Sequence, residues 1–346
     1  MSAASAVARR VLASQETGLV IVVAALVVVL SALAGSHADR LTGATVNNFL
    51  NSDTLIQVAT DASFFAIMAI GATIVIISGG IDLSVGSIYA LSGVSMALAL
   101  RALGPASSWT MTLVAIAASI GVGVLCGVLN GLLVVGLRVH PFIVTLGTMW
   151  VLRGIAFVAT KAESILVPAQ LTGVTKASLG LRVGLYPVPM LVMIAMTIAG
   201  WIYLTRTVMG RHVFAFGGNI EASRFAGLAL GRIQLGVFAV SGFTAGVAAF
   251  LGASFYGSAS SGDGQGYELY VIASAVVGGA SLIGGKGSAI GAMLGALLIV
   301  MIRQSIRTLH FDQNYEWIVI GCAIIVAVVI DRWSGGMTAR RLMRIT

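Results

Sequence analysis

The chain has 346 residues, of which 58% are hydrophobic and 9% are Asp, Glu, Lys or Arg, against a charged share of about 25% in soluble domains. So little charge cannot solvate a globule and so much apolar surface exceeds what one core hides, which excludes an ordinary soluble protein and makes a bilayer the expected solvent. The net charge of +8 comes from 20 Lys and Arg scattered near the ends of apolar runs; a nucleic-acid binder gathers them in a stripe, so membrane topology accounts for the excess and nucleic acid is not an expected partner.

Apolar runs of helical length predict ten spans, near 18–35, 55–78, 84–101, 109–136, 142–160, 188–205, 233–255, 268–283, 288–305 and 316–331. Arg9 and Arg10 before the run from Gly18 to Ala34 also fit a signal peptide. That run is long for a signal and many spans follow, so it is read as the first transmembrane helix. An even number of spans puts both termini on one side. With the N-terminus in the cytoplasm, the inner segments hold twelve Lys and Arg and the outer ones seven, with Arg153 inside a span, which favours cytoplasmic termini. The expected fold is therefore an all-α integral membrane protein, a single transmembrane domain over 1–346. Two loops are long enough for structure of their own: an external one, 161–187, and an inner one, 207–232, rich in arginine.

In chain order, Asp61 is the first ionisable group inside an apolar run, and such groups face a cavity or a partner. Next, Ser78-Gly79-Gly80-Ile81-Asp82-Leu83-Ser84 sets an acid beside two glycines at the junction of two spans. Glycine permits a sharp break, and Asp82 is expected either to cap the following helix or to serve with Gly79, Gly80 and Ser84 as a gate. Gly123, Gly127 and Gly131, like Gly287, Gly291 and Gly295, recur every fourth residue, a spacing that lets helix backbones approach closely. His140-Pro141 opens a span as cap and first-turn residue. Arg153 and Glu268 stand within or at the edge of spans as pathway candidates. Paired glycine breaks after Ser78 and near Gly278 suggest interrupted helices in two halves of an internal repeat.

No metal site is expected, because the four histidines are far apart and Cys126 and Cys322 lie in apolar runs. No bound cofactor is expected either. The stretch before Gly285-Lys286 fails as a phosphate loop, with Ala280 and Gly287 where Gly and Ser or Thr are required. No catalytic constellation is visible, so the chain is not expected to be an enzyme.

The inner loop carries the most specific signal. Asn219 suits a helix N-cap and Gly227 a C-terminal stop, with Glu221 in the first turn. Glu221-Ala222-Ser223 with Gly227 downstream resembles the Glu-Ala-Ala motif of permease subunits of bacterial ABC importers. GGIDLSVG at 79–86, HPFIVTLGTM at 140–149, GRHVFAFGGNIEASRFAGL at 210–228 and GYELYVIASAVVGGASLIGGKGS at 266–288 resemble the ribose-type sugar permeases. Ser223 departs from the usual Ala, and 257–264 lacks the Arg and Pro common there. The resemblance implies a multi-pass permease of the bacterial inner membrane, carrying a pentose, hexose or related polyol. It implies three kinds of partner: an ABC ATPase subunit, a soluble sugar-binding protein (periplasmic or lipid-anchored) and a second permease copy or paralogue. The ATPase would dock through Asn219, Glu221, Ala222, Arg224 and Gly227. The residues alone leave one rival, an ion-coupled secondary transporter using the intramembrane carboxylates.

Overall fold

The computed structural model describes residues 15–38, 43–181 and 184–322, together with 325, 326 and 329. The apolar runs are helices, and several begin where a short polar side chain accepts the first free N–H groups. Helix α1 is Gln15–Leu33. Helix α2, Ser52–Ile77, is capped by Asn51, α3 is Val85–Leu103, and α4, Ser108–Leu137, is capped by Ser107. Helix α5, Pro141–Thr160, has His140 as its cap, the side chain accepting from Phe142 N–H. A short helix α6, Ala169–Thr175, precedes α7, Val188–Arg206. The 207–232 loop contains α8, Val208–Gly218, and α9, Ile220–Phe225. Helices α10, Leu230–Tyr256, α11, Tyr267–Val277, and α12, Ala289–Thr308, follow, with a further helical stretch over 315–322.

Among the described residues, eight helices are long and apolar enough to cross a membrane. The expected span 268–283 is corrected: its helix α11 has 11 residues and stops at Val277, because Gly278 and Gly279 turn the chain there. Eleven residues rise only about 16 Å, half a hydrocarbon core. The expected span 316–331 is helical through 322, and its remainder lies largely outside the described residues.

Helix α2 is the axis of the bundle, with 94% of its most apolar window buried inside the protein, whereas α1 has 11% and lies on the periphery. Against α2 pack α10, α12, α7 and α11. The densest seam joins α4 to α10, where glycines remove the side chains that would hold the backbones apart. A Cβ at Gly123 would stand 2.9 Å from Gly246 Cα, one at Gly127 3.1 Å from Gly242 Cα, and one at Gly131 2.9 Å from Leu235 Cα. The second glycine series is corrected in part. Gly291 and Gly295 lie on α12 against Gly278 of α11, but Gly287 precedes the helix, with φ +152, and packs on Ile77.

Two small antiparallel ribbons complete the fold. Strand β1, Ser36–Ala38, pairs with β2, Thr45–Asn47. Strand β3, Ile165–Leu166, pairs with β4, Ser258–Ala259, in the register Ile165 to Ala259, and fastens the 161–187 segment to the end of α10. Arg101 and Lys161 gather beside β3, at one face of the bundle. Gly80, Pro141, Phe216 and Arg224 gather at the opposite face.

A candidate coupling site on two broken helices

Both breaks are built alike. At the end of α2, Ser78 N–H donates to Ile74 O (3.3 Å), Gly79 N–H to Ile76 O (2.8 Å) and Gly80 N–H to Val75 O (3.0 Å). At the end of α11, Gly278 N–H donates to Ser274 O, Gly279 N–H to Val276 O and Ala280 N–H to Ala275 O, each at 2.9 Å. Gly79 and Gly279 have φ of 78° and 97°. This is the left-handed stop that closes a helix with its last carbonyls satisfied, and glycine adopts it without a Cβ penalty.

Beyond Gly80 the chain enters a buried polar network. Thr145 of α5 donates its hydroxyl to Ile81 O (3.0 Å) and accepts from Leu83 N–H (3.1 Å). Asp82, 2% exposed, accepts on Oδ1 from Ser84 N–H (2.9 Å) and Ser84 O–H (2.6 Å), and on Oδ2 from Ser241 O–H of α10 (2.7 Å). Asn130 of α4 donates from Nδ2 to Ser84 Oγ (2.7 Å). Asp82 thus accepts the free N–H of Ser84, the residue that opens α3, as a capping acid does, although the N-cap position itself belongs to Ser84, which makes no side-chain cap bond. The carboxylate also ties the break to α10 and, through Ser84, to α4.

The C-terminal turn of α8 rests on both breaks at once. A Cβ at Gly217 would overlap the Ile77 carbonyl and stand 2.8 Å from its carbon and 2.9 Å from Gly285 N; a Cβ at Gly284 would stand 2.7 Å from Gly217 O. The breaks also bond to each other directly, Gly285 N–H donating to Ile77 O at 2.8 Å. From this root α9 projects outward. Asn219 Oδ1 accepts from Ala222 N–H (2.9 Å), and Gly227, with φ 77°, ends the helix as Leu228 N–H reaches Ser223 O (3.1 Å). Ser223 is buried, while Glu221, Ala222, Arg224 and Phe225 face outward, Phe225 being 91% exposed. Beside it a cleft of about 570 Å³ runs from Ile220 and Arg224 to Gly79, Gly80 and His140.

The remaining candidates lie apart from this assembly. Asp61 accepts from Gln57 Nε2 (2.8 Å) and has Arg307 Nη1 at 3.9 Å, so a basic residue of α12 faces it. Arg153 reaches from α5 to the loop before α11, its Nη1 donating to Ser261 O (2.7 Å) and Asp263 O. Glu268, in the first turn of α11, approaches the start of α3, where a Cβ at Gly86 would stand 2.5 Å from its Oε2.

Reading the sequence missed a second cluster. Arg303 Nε lies 2.7 Å from Glu316 Oε1, which also accepts from Tyr270 O–H (2.7 Å), and the guanidinium covers the rings of Phe65 and Tyr270. Glu316 and Trp317 open an apolar run much as Glu268 does, and that shared position is the signal that could have found them. Among the described residues no cluster of side chains could hold a metal ion.

Comparison with known proteins agrees with this architecture. The family model described as branched-chain amino acid transport system / permease component matches residues 54–328. The ribose import permease protein of Escherichia coli (strain K12) is 35% identical over 291 residues, covering 82% of this chain and 87% of that protein. The D-allose transport system permease protein of the same organism is 35% identical over 286 residues, 82% and 85% of the two chains. The fructose import permease protein of Rhizobium meliloti is 32% identical over 292 residues, 82% and 79%. A match over this much of the chain, with eight helices long and apolar enough to span a membrane among the described residues, makes the protein a multi-pass membrane transport component that belongs to the permease family of branched-chain amino acid transport systems.

Proposed function

We propose that this chain is the membrane-spanning subunit of an ATP-driven importer for a small sugar, a pentose, hexose or related polyol. The substrates in the names of its relatives, ribose, allose and fructose, support that class. The chain acts as one membrane domain. Segment 207–232 and both termini face the cytoplasm, as the basic-residue count favours. Segment 161–187 faces a soluble binding protein outside, and a second permease copy or a paralogue completes the pathway.

One observation carries the mechanism: α9 presents Glu221, Ala222, Arg224 and Phe225 outward while its root, Gly217, lies on the backbone of both breaks. An ATPase that grips α9 would move Ile77 and Gly285 together. The two broken helices, equivalent by their hydrogen bonds, are then the elements whose shift opens the pathway to one side or the other. The permease moves sugar without covalent chemistry, and hydrolysis belongs to the ATPase.

Glu221→Lys tests the reading. It reverses an exposed charge at the contact and sets a cation at the positive end of a short helix, a dipole effect of about 0.3–1 kcal/mol, too small to unfold the bundle. The variant should insert at parent abundance yet lose uptake and co-purification of the ATPase. Substantial uptake by the variant, or uptake by proteoliposomes holding the permease alone under an ion gradient, would instead establish a secondary transporter.

A further inference from the structure

A short helix that is driven at one end must be held or released at the other. The inner end of α11 is the second break, whose following loop bonds through Gly285 to Ile77 and meets Gly217. Its other end is held by a cluster that the coupling element and the Asp82 network do not use. Tyr270 O–H and Arg303 Nε of α12 converge on Glu316 Oε1, each at 2.7 Å. The guanidinium stands 5.2 Å from the centre of the Tyr270 ring and 5.6 Å from that of Phe65 on α2. Phe65 packs in turn on Tyr267, with 4.7 Å between ring centres, and Tyr270 packs on Trp317 at 6.0 Å. One turn further along α12, Arg307 faces Asp61 of α2 at 3.9 Å. Four elements, α2, α11, α12 and the 315–322 stretch, therefore meet around one ion pair.

This contact differs in kind from the α4–α10 seam, where backbone lies on glycine and no side chain is held in reserve for water. The Arg303 and Glu316 side chains are 24% and 15% exposed, and Glu316 directly follows a turn, 310–315, whose residues are all exposed. An ion pair so placed is close to balance, because the attraction gained on closing is offset by the hydration lost. The closed, paired arrangement and an opened, hydrated one then differ little in free energy, which is what a two-state element requires. Removing one charge upsets that balance: the other is left half-buried without its partner and is better solvated in water.

We propose that the Arg303–Glu316–Tyr270 cluster is an outer latch. It ties α11 to the 315–322 stretch while the importer rests, and it is released into water when the binding protein docks on that side. The inference rests on the importer reading above, with α12 ending at the outer face. Release frees one end of α11, while the other end answers to the ATPase through Gly285 and Gly217. With 11 residues and a rise of about 16 Å, α11 shifts as one rigid piece and joins the two events. Arg303, Glu316 and Tyr270 are positioning residues in this account, and none needs to touch the sugar.

The test is ATP hydrolysis by permease and ATPase together in proteoliposomes, with and without the binding protein, a readout that does not depend on which sugar is carried. Glu316→Gln keeps an acceptor for Tyr270 and removes the charge. We expect this variant to reach parent abundance and to hydrolyse ATP without the binding protein about fivefold or more faster than the parent, the lower end of typical coupling between sites. Its stimulated rate should match the parent's. Loss of a merely structural contact would lower abundance or slow hydrolysis and would not raise it. If Glu316→Gln is not abundant, Tyr270→Phe, which loses one oxygen and keeps the ring, takes its place with the same rise expected. Where the binding protein stimulates the parent, unstimulated hydrolysis by the abundant variant at or below the parent's rate overturns the latch alone. A parent that shows no hydrolysis stimulated by the binding protein refutes the importer reading, and the latch with it.

Discussion

Gly217→Ala isolates the mechanical link between α8 and the two breaks. The new methyl would overlap the Ile77 carbonyl and stand 2.8 Å from its carbon and 2.9 Å from Gly285 N, where carbon atoms rest at about 3.5–4.0 Å. Backbone on one side or the other must retreat by on the order of 1 Å, since there is no flexible side-chain end to swing away. Overpacking of this kind costs about 1–3 kcal/mol. Separating the breaks also disrupts the Gly285 N–H to Ile77 O bond of 2.8 Å, leaving a donor and an acceptor unpaired for about 1–3 kcal/mol more. The total is about 2–6 kcal/mol, concentrated where the drive is transmitted. Gly218→Ala is the matched control: a Cβ there meets nothing within 4 Å, and replacing a helical glycine gains about 0.4–1 kcal/mol. Thermal aggregation of the detergent-solubilised protein and uptake in cells provide the readout. Gly217→Ala should lower the aggregation midpoint by several degrees and abolish uptake, while Gly218→Ala keeps both. If the two variants behave alike, α8 does not bear on the breaks as described.

The α4–α10 seam makes a similar contrast: Gly127→Leu should collapse membrane abundance, because its Cβ already lies 3.1 Å from Gly242 Cα, whereas Gly121→Leu, with open space at its Cβ, should leave abundance unchanged in an immunoblot. Asp82→Asn keeps an acceptor for Ser84 and a group that Ser241 can satisfy, so uptake should fall only a few-fold, while Asp82→Ala strands three donors and should destabilise by several kcal/mol, about 1–3 for each. Equal effects of the two in uptake and thermal assays would remove the network from the account. A cysteine at position 219, in a background without Cys126 and Cys322, should resist an impermeant maleimide added outside intact cells; labelling there would invert the orientation.

Hydropathy alone located the spans because in a bilayer each backbone N–H and C=O must be satisfied within its own segment, which ties apolar length to helix length. The Asn219 cap of α9 was legible for a local reason: a cap bond spans only three residues. The Gly79 and Gly279 stops were legible as glycine pairs, since a positive φ is a property of one residue. The pair at Gly278 was nonetheless read as an interruption inside a span running to 283 and not as its end, because Ala280 and Leu282 continue an apolar run through a turn that hydropathy does not register.

What the sequence by itself determined is the membrane class, the position of eight of the ten expected spans, and a short capped helix between two of them. These follow from composition and from interactions within a few residues. Which spans meet was settled only by tertiary packing. Asp82 and Ser241 are 159 residues apart, and Arg153 and Ser261 are 108 apart, yet each pair is hydrogen-bonded. The backbone contact of Gly217 with Ile77 and Gly285 likewise joins three distant segments. Such pairings depend on which glycine faces let helices approach and which breaks turn the chain inward. No window along the sequence contains that information, because it belongs to the complementarity of surfaces that exist only once the helices have assembled.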